Sequence, residues 1–290
     1  MSAVTESPST AAEPRTETVV AGGTRISVLS AGDGFPLVYL HGAGDLGGWL
    51  PALGGLSGSF RVVRPDHPGF NGSDDAPGVD SVAAMADLYV RILDALGVDR
   101  CHLVGTSLGG WLAAELALRI PARVARLVLV DPAGLPAATP APNMFEVAPE
   151  VLVELTCGDA ESLAAGRARD AAVRADAVLR ERRGRNGATT ARLAGEPYLH
   201  DPGLAARLPG LRTPTLLVWG ALDGLCPVET ADRWTAALPD ARLHVVDGAG
   251  HLPLVDRPAE FVQVVNEFLS APAPSPARAD TPAPARPDGR

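Results

Sequence analysis

Short apolar runs alternate along the chain with longer segments of helical period. The runs are apolar at nearly every position and rich in valine and leucine, which predicts strands buried on both faces. The longer segments repeat apolar residues at every third and fourth position, as helices with one buried face do. The predicted strands are residues 24–31, 36–42, 61–66, 101–105, 125–131, 213–220 and 241–248, and the predicted helices are residues 81–97, 108–120, 228–238 and 258–269.

This alternation predicts the fold class. Strands that are apolar throughout and separated by helices are typical of a parallel sheet that helices cover on both faces. The first predicted helix has clear ends, because Ser81 is a favourable N-cap and Gly97 a favourable stop. The alternation stops between residues 132 and 208 and then resumes. We therefore expect an open α/β sheet whose sites lie beyond the carboxyl ends of the strands.

The two ends of the chain differ from the rest in composition. Residues 1–16 mix Ser, Thr, Glu and Pro, while residues 271–290 are dominated by Pro and Ala. Neither segment offers enough apolar surface to offset the entropy lost on ordering. The sequence therefore predicts disordered ends around a folded unit that spans residues 17–270.

Overall composition narrows the class of protein. Of the 290 residues 46% are hydrophobic, enough for a substantial core. All 25 basic residues are arginines, and the formal net charge of −9 argues against a nucleic-acid partner. The chain begins without a secretory signal pattern, and no apolar run approaches the roughly 18 residues of a membrane span. We expect a cytoplasmic protein with a small-molecule substrate, no membrane partner and an oligomeric state that the sequence leaves open.

The cysteines suggest neither a disulfide framework nor a metal site. Cys101, Cys157 and Cys226 are odd in number and widely spaced. No two of them have the CxxC spacing of a zinc site. We expect three reduced thiols.

Residues 105–109 read GTSLG and lie between a predicted strand and a predicted helix. At such a corner Gly105 and Gly109 allow backbones to approach closely, and the strained turn presents Ser107 as a nucleophile. The backbone N–H of Leu108, at the helix N-terminus, then points to where an oxyanion would form. The alternative is a small serine that only fills a tight corner.

A serine nucleophile needs a base, and the base needs an acid that orients it. Among the six histidines, His251 lies in a glycine-containing loop just after the last predicted strand. Asp223 follows the predicted strand 213–220 by three residues and precedes His251 by one helix and one strand. The chain order Ser107, Asp223, His251 is typical of a catalytic triad on an open α/β sheet. Asp131, at the end of another strand, is the alternative acid.

The loop after the predicted strand 36–42 supplies a second oxyanion donor. The N–H of Ala43 is the expected partner of that of Leu108, while His41 and Gly42 shape the turn. For His41 we expect packing and hydrogen bonding within the turn rather than catalysis. Structural roles in loops or strands are also expected for Asp66, His67, His102 and His244.

Four motifs in this order resemble those of the α/β-hydrolase superfamily: LHGAG, DHPGFNGSD, GTSLGG, and the pair WGALDGLCP and GAGHLPLVDRPAEF. The resemblance covers about residues 36–269 and departs at Asn71, where relatives often have glycine. It implies an eight-stranded, mostly parallel sheet with an antiparallel strand near the start. It also implies an inserted helical cap, here residues 132–208, which leaves residues 17–131 and 209–270 as the hydrolase core.

The resemblance also implies site residues and a reaction. Carried over by position, Ser107 is the nucleophile, His251 the base and Asp223 the acid, with Ala43 and Leu108 as the oxyanion hole. An acyl-enzyme forms on the serine and water resolves it, without a metal or an organic cofactor.

The sequence is compatible with more than one class of substrate. The loop around Trp49 is similar to that of carbon–carbon hydrolases of ring-cleavage products, which commonly carry Asn before the nucleophile and Trp after the histidine. Thr106 and Leu252 stand there in this chain. The difference favours an ester or lactone of a small organic molecule and leaves carbon–carbon cleavage second. A third reading is a non-hydrolytic member, a ligand receptor or a catalyst of another step, that keeps the triad.

The cap is expected to select the substrate. Between residues 166 and 192 it carries eight arginines and three acidic residues, which fits a solvated helix face or an attraction for an anionic substrate. Met144 and Phe145, together with Trp49 of the core, are the candidate pocket residues. The alternative for the first two is ordinary cap core.

Overall fold

The described residues form one sheet of eight strands. The computed structural model of the protein describes residues 13–137, 139 and 142–272. Seven strands coincide within two residues at each end with those that the apolar runs predict. The strands are β1 (Arg15–Ala21), β2 (Thr24–Ala31), β3 (Pro36–Leu40), β4 (Arg61–Pro65), β5 (Cys101–Thr106), β6 (Val124–Val130), β7 (Thr215–Gly220) and β8 (Ala241–Val246).

The sequence pattern did not predict β1. Most of its side chains are exposed, so the strand carries little apolar signal and is held by pairing with β2. It begins at Arg15, two residues before the predicted start of the folded unit at residue 17. Of the predicted disordered ends, residues 1–12 and 273–290 lie outside the described residues.

The sheet is mostly parallel, as the sequence predicts. Its strand order is β1-β2-β4-β3-β5-β6-β7-β8. The pairs β1–β2 and β2–β4 are antiparallel, and every pair from β4 to β8 is parallel. The carboxyl ends of the parallel strands therefore meet at one edge of the sheet.

Helices cover both faces of the sheet. Ser81 is the N-cap of the second helix, and its hydroxyl accepts a hydrogen bond from the N–H of Ala84 at 3.2 Å. Gly97, which follows that helix, has a φ of 62°, a conformation that favours glycine. The helices are α1 (Pro51–Leu56), α2 (Val82–Ala95), α3 (Leu108–Arg119), α4 (Pro149–Thr156), α5 (Ala160–Ala175), α6 (Ala177–Ala194), α7 (Leu204–Arg207), α8 (Ala231–Ala237), α9 (Pro253–Asp256) and α10 (Pro258–Ser270).

Two apolar cores lie on opposite faces of the sheet. Successive residues of β3 alternate between them, since Val38 packs in one core and Tyr39 in the other. The larger core contains side chains of α2, α3 and α8. The smaller core contains side chains of α1, α9 and α10.

The insertion between β6 and β7 contains the helices α4 to α7, and we call residues 132–208 the cap. The cap is joined to the core by apolar packing, because Leu193, Leu199 and Leu204 belong to the larger core. Among the described residues no helix is both long and apolar enough to cross a membrane.

Candidate active site

The four residues that the sequence singles out for acid, base and nucleophile roles follow four neighbouring strands. Ser107 follows β5, Asp131 follows β6, Asp223 follows β7 by three residues, and His251 lies five residues after β8. Because β5 to β8 are parallel neighbours, these side chains belong to one edge of the sheet. Strand order thus accounts for the shared position of these residues at this edge.

Ser107 occupies a strained corner between β5 and α3. Its φ of 55° and ψ of −117° are unusual for a residue with a side chain. A Cβ on Gly105 would lie 2.2 Å from the carbonyl oxygen of Gly109, and a Cβ on Gly109 would lie 2.1 Å from that of Leu40. Only glycine fits at either position, so the sequence around Ser107 is dictated by the tight turn.

His251 and Asp223 are hydrogen-bonded to each other. The distance from His251 Nδ1 to Asp223 Oδ2 is 2.7 Å, and both residues are buried. The other carboxylate oxygen accepts the N–H groups of Leu225 and Cys226, each at 2.8 Å. Since Nδ1 donates to the carboxylate, Nε2 carries the lone pair, and within the described chain this buried nitrogen has no hydrogen-bond partner.

Asp131, the alternative acid, has different surroundings. It is fully buried, and its Oδ1 accepts the N–H of Gly220 at 2.9 Å. Burial, reinforced by the negative charge of Asp223, raises the pKa of Asp131 well above its usual value. Burial therefore favours the uncharged form of this carboxyl, whereas the histidine makes its hydrogen bond with Asp223.

The expected oxyanion donors flank the serine. A Cβ on Gly42 would lie 3.4 Å from the Cβ of Ser107, which places the Gly42–Ala43 turn against the nucleophile. Leu108 is the first residue of α3. Within the described residues, neither the N–H of Ala43 nor that of Leu108 has a hydrogen-bond acceptor. Both N–H groups are therefore free to bind an acceptor such as an oxyanion.

His41 and His67 lie beneath this turn as a stacked pair, with ring centroids 3.8 Å apart. His41 Nδ1 donates to the carbonyl of Gly42 at 2.9 Å, and its Nε2 accepts the N–H of His67 at 3.0 Å. His67 Nε2 donates to the carbonyl of His41 at 2.8 Å, and its Nδ1 accepts from Tyr89. Burial lowers the pKa of His41 to about 3 and that of His67 well below its usual value. Both rings are therefore neutral and shape the turn.

A buried ion cluster supports the same loop. Arg64 is fully buried and pairs with Asp66 at 2.7 Å and with Asp45. Burial alone would raise the pKa of Asp66, but the charge of Arg64 holds it below its usual value. Asp66 therefore has the structural role that the sequence suggests.

A cavity of about 450 Å³ lies between the end of β6, the loop after β7 and the last part of the cap. Trp49, Met144 and Phe145, the candidate pocket residues, do not line it. Trp49 packs against the smaller core, while the backbone of Met144 and the ring of Phe145 contact Tyr198. The lining residues include Pro132, Leu135, Pro136, Tyr198, Leu199, His200, Leu225 and Cys226.

The residues that line this cavity carry little local signal in the sequence. The cavity walls come from three segments that are far apart in the sequence, and an apolar loop residue carries no periodic signal. The one available signal was Cys226, which follows Asp223 by three residues in the same loop. Tyr198 and Leu199 lie between α6 and α7, with nothing in their local pattern to mark them.

The cap arginines make specific contacts rather than a uniformly solvated face. Arg174 and Arg183 both pair with Asp170, a buried cap carboxylate, at 2.9 and 2.8 Å. Arg182 donates to the carbonyl of Leu46 in the core, and Arg185 donates to that of Ser73 at 2.7 Å. Part of the arginine cluster therefore fastens the cap to the core.

One group of side chains could chelate a metal ion. Donor atoms of Asp223, Cys226 and His251 lie within 4.8 Å of one another. The His251–Asp223 hydrogen bond already accounts for two of the three groups. Burial and the charge of Asp223 raise the pKa of the Cys226 thiol well above its usual value, which disfavours the thiolate that binds metals.

Comparisons with known proteins agree with this architecture. A family model described as "alpha/beta hydrolase fold" matches residues 36–258. The 2-hydroxy-6-oxo-6-phenylhexa-2,4-dienoate hydrolase of Burkholderia cepacia is 29% identical over 262 residues, or 85% of this chain and 91% of the relative. The pimeloyl-acyl-carrier protein methyl ester esterase of Aeromonas hydrophila subsp. hydrophila is 31% identical over 259 residues, or 84% of this chain and 99% of the relative.

A solved structure is similar over nearly the whole core. The 2-hydroxy-6-oxo-6-phenylhexa-2,4-dienoate hydrolase from Rhodococcus sp. superposes with a TM-score of 0.74 at 25% identity, covering 89% of this chain and 99% of that one. The resemblance that the four sequence motifs indicated is thereby confirmed. The chain belongs to the α/β-hydrolase family, and it is an enzyme of the hydrolase type.

Proposed function

We propose that the protein is a serine hydrolase that cleaves an ester or lactone of a small organic molecule through an acyl-enzyme. The observation that carries the proposal is the hydrogen bond from His251 Nδ1 to Asp223, at the sheet edge where Ser107 occupies its strained corner. That bond fixes the tautomer in which Nε2 is free to accept a proton.

The residues take four roles in the proposed reaction. Ser107 Oγ attacks the substrate carbonyl while His251 Nε2 takes its proton, and Asp223 stabilises the imidazolium that forms. The N–H groups of Ala43 and Leu108 hold the oxyanion of the tetrahedral intermediate. The imidazolium then protonates the leaving group, and water resolves the acyl-enzyme by the same route in reverse.

Two side chains favour an ester or lactone over a carbon–carbon bond. Thr106, before the nucleophile, is buried and accepts a hydrogen bond from Tyr39 at 3.3 Å, so its hydroxyl is directed away from a substrate role. Leu252, after the base, packs against the smaller core. Neither position offers the amide or indole donor that the ring-cleavage relatives commonly have there.

Carbon–carbon cleavage is the second candidate, and the relatives support it equally. Several of them, including the Burkholderia cepacia protein, carry names of hydrolases of 2-hydroxy-6-oxo-dienoates. Others are named as esterases. We also retain as predictions a small-molecule substrate, the absence of nucleic-acid and membrane partners, and a cytoplasmic location.

The test compares the two reactions on one enzyme preparation. Purified protein is given p-nitrophenyl esters of increasing acyl length, a series of lactones, and 2-hydroxy-6-oxo-6-phenylhexa-2,4-dienoate, and the products are read by mass spectrometry. Ser107→Ala is expected to lower kcat/KM on the ester by on the order of 10⁴-fold or more. A fluorophosphonate is expected to label Ser107 in the wild type and not in this variant.

The results of these assays distinguish the three candidate functions. Ester or lactone turnover that exceeds dienoate turnover supports the proposal, and the reverse ranking supports the second candidate. Saturable ligand binding without turnover of any substrate and without labelling of Ser107 contradicts both and favours a non-hydrolytic member.

A further inference from the structure

The cap meets both catalytic loops through main-chain hydrogen bonds. We name residues 155–159, where α4 passes into α5, the cap corner. Its Leu155 carbonyl accepts the N–H of Gly224, next to the proposed acid, at 2.9 Å. Its Thr156 carbonyl accepts the N–H of His251, the proposed base, at 2.9 Å. The backbone of the base is therefore held by the cap and not by the core alone.

Asp256 joins the cap corner to the loop of the base. Its Oδ2 accepts the N–H of Gly158, in the corner, at 3.2 Å and the N–H of Gly250, beside the base, at 2.9 Å. In the opposite direction the N–H of Asp159 donates to the carbonyl of Gly248 at 3.0 Å. One carboxylate oxygen of α9 thus bridges a cap segment and a catalytic loop.

The approach is as close as two backbones allow. A Cβ on Gly158 would lie 2.1 Å from the carbonyl oxygen of Gly248, and a Cβ on Gly250 would lie 2.5 Å from that of Thr156. Neither glycine has a positive φ, so close approach is the property that requires them. The corner and the loop therefore fit each other by shape as well as by hydrogen bonding.

An ion pair closes the outer side of the contact. Arg257 pairs with Asp159, whose side chain also accepts the N–H of Ser162 and so caps α5. Arg257 directly follows Asp256 in the chain, and its guanidinium also donates to the carbonyl of Asp256 at 2.8 Å. The start of α5 and the end of α9 are therefore held together beside the base.

We propose that the cap corner is a positioning element of the catalytic centre and that Asp256 is the positioning residue that docks it onto the loop of His251. The inference rests on the proposed roles of Asp223 and His251. Hydrogen bonds to the backbone of a catalytic histidine restrict its ring orientation, and small errors in that orientation lower the rate of proton transfer. The cap accordingly contributes to the chemical step as well as to substrate choice.

The test uses p-nitrophenyl acetate, a substrate small enough that contact with the cap should contribute little to its binding. In Asp256→Ala the expected fall in kcat is about 10- to 100-fold, as for other residues that orient a catalytic group. KM should stay within about threefold of the wild-type value, because the substitution leaves the proposed oxyanion hole and the site that binds the acyl group unchanged. Fluorophosphonate labelling of Ser107 should slow by the same factor as kcat.

Asp256→Asn is the conservative variant, since its amide oxygen still accepts hydrogen bonds from Gly158 and Gly250. Its kcat should lie between those of the wild type and Asp256→Ala. If Asp256→Ala folds poorly, Asp256→Asn still tests the proposal, because Asp256→Asn should lose kcat without losing thermal stability.

The matched control is Asp170→Asn, which disrupts a buried ion-pair cluster inside the cap away from the corner. It should lower the Tm with kcat within about threefold of the wild type. An Asp256→Ala enzyme with unchanged kcat overturns the proposal. So does an Asp170→Asn enzyme that loses as much kcat as Asp256→Ala at an equal loss of Tm, since the effect is then one of general cap stability.

A readout that needs no turnover separates this inference from the proposed function. The Nδ1–H proton of His251, bonded to Asp223, should give a low-field ¹H NMR signal that disappears in His251→Gln. Broadening or loss of that signal in Asp256→Ala supports positioning even if the wild type hydrolyses none of the esters. An unchanged signal contradicts it.

Discussion

The cap contacts the core in several places, and two of these attachments, at the cap corner and along α6, differ in kind. At the cap corner, main-chain groups of residues 155–159 meet main-chain groups of the loops that carry Asp223 and His251. Along α6, long side chains reach across to the core instead. Arg182 and Asn186 donate to the carbonyls of Leu46 and Asp45, which belong to the loop that follows the proposed oxyanion donor.

The α6 attachment also involves an asparagine pair. Asn186 Oδ1 accepts the N–H of Asn71 at 3.1 Å, and Asn186 Nδ2 donates to Asn71 Oδ1 at 3.0 Å. Thr189 donates to the carbonyl of Gly69 at 3.0 Å. Asn71, where relatives often have glycine, is therefore part of a cap contact in this chain.

The difference teaches which side of the cap is able to adjust. A backbone contact has a fixed length and excludes any Cβ, whereas arginine and asparagine side chains can change rotamer and keep a partner. We infer that the proposed base His251 is held by the rigid attachment. The loop of Asp45 and Leu46, which follows the proposed oxyanion donor and which we call the oxyanion loop, is held by the adaptable one. Five predictions test this contrast, from the largest expected effect to the smallest.

The largest effect is expected from Gly158→Ala at the cap corner. The added methyl group would overlap the carbonyl of Gly248, so the corner has to move away from the loop of His251. Overpacking of this kind destabilises by about 1–3 kcal/mol. We expect kcat on p-nitrophenyl acetate to fall by at least about tenfold, like that of other variants that disturb an orienting contact. Thermal unfolding measures the loss of stability, and steady-state kinetics measure the fall in kcat.

Gly187→Ala in α6 is the matched control. A Cβ on Gly187 meets nothing within 4 Å, and the residue lies inside a helix. The change should stabilise the protein by about 0.5–1 kcal/mol and leave kcat unchanged. Equal effects of the two substitutions would remove the contrast between the attachments.

A moderate effect is expected from Asn186→Ala. This side chain is buried, and its loss leaves Asp45 and Asn71 without their partners, which destabilises by about 1–3 kcal/mol. We expect a smaller fall in kcat than for Gly158→Ala, because the oxyanion loop keeps the support of His41 and His67.

Arg185→Ala tests the exposed part of the same attachment. Its side chain is about one-third exposed, and its pair with Asp75 lies at the surface. Contacts of this kind contribute less than about 1 kcal/mol. A larger loss for Arg185→Ala than for Asn186→Ala in urea unfolding would contradict this assignment.

As the pH falls, we expect the α6 attachment to be destabilised before the cap corner. His41 and His67 are neutral in the folded protein because their pKa values are lowered, so the unfolded chain binds additional protons below pH 6.5. Folding stability contributed by each therefore decreases as pH falls from 6.5 toward about 3, by at most about 1.4 kcal/mol per pH unit. Asp131, on the corner side, has a raised pKa, so its contribution is present below pH 3.8 and is lost as pH rises.

Hydrogen exchange followed by mass spectrometry at pH 7 and pH 5 measures this difference. After correction for the intrinsic exchange rates, protection of residues 41–48 and 66–74 should decrease more than protection of residues 155–159 and 247–252. If the corner loses protection first, the two sides have been assigned the wrong way round.

The smallest effect is expected from Asp131→Asn. The amide keeps an acceptor for the N–H of Gly220 and needs no proton from solvent, so the cost of keeping a buried carboxyl neutral disappears. We expect a slightly higher Tm at pH 8, no difference near pH 3, and kcat within about threefold of the wild type. A loss of activity comparable to that of Asp223→Asn would instead make Asp131 the functional acid.

Much of the fold could be predicted because its signals are local. The strands from β3 to β7 are mostly apolar and mostly buried, and α2 begins and ends at residues with clear capping preferences. β1 was not predicted because most of its residues are exposed and carry no apolar period, and pairing with β2 provides much of its support. The lining of the cavity could not be predicted from local patterns either, since Tyr198 and Leu225 become neighbours only through the fold.

The amino-acid sequence by itself determined the order of strands and helices, the corner at Ser107 and the set of residues that can supply acid and base. These properties depend on residues within a few positions of one another. Only the tertiary structure decided that His251 contacts Asp223 rather than Asp131, that the cap corner touches the base, and that α6 holds the oxyanion loop. Those contacts join segments many residues apart, and burial and backbone approach, which decide them, exist only once the chain is folded.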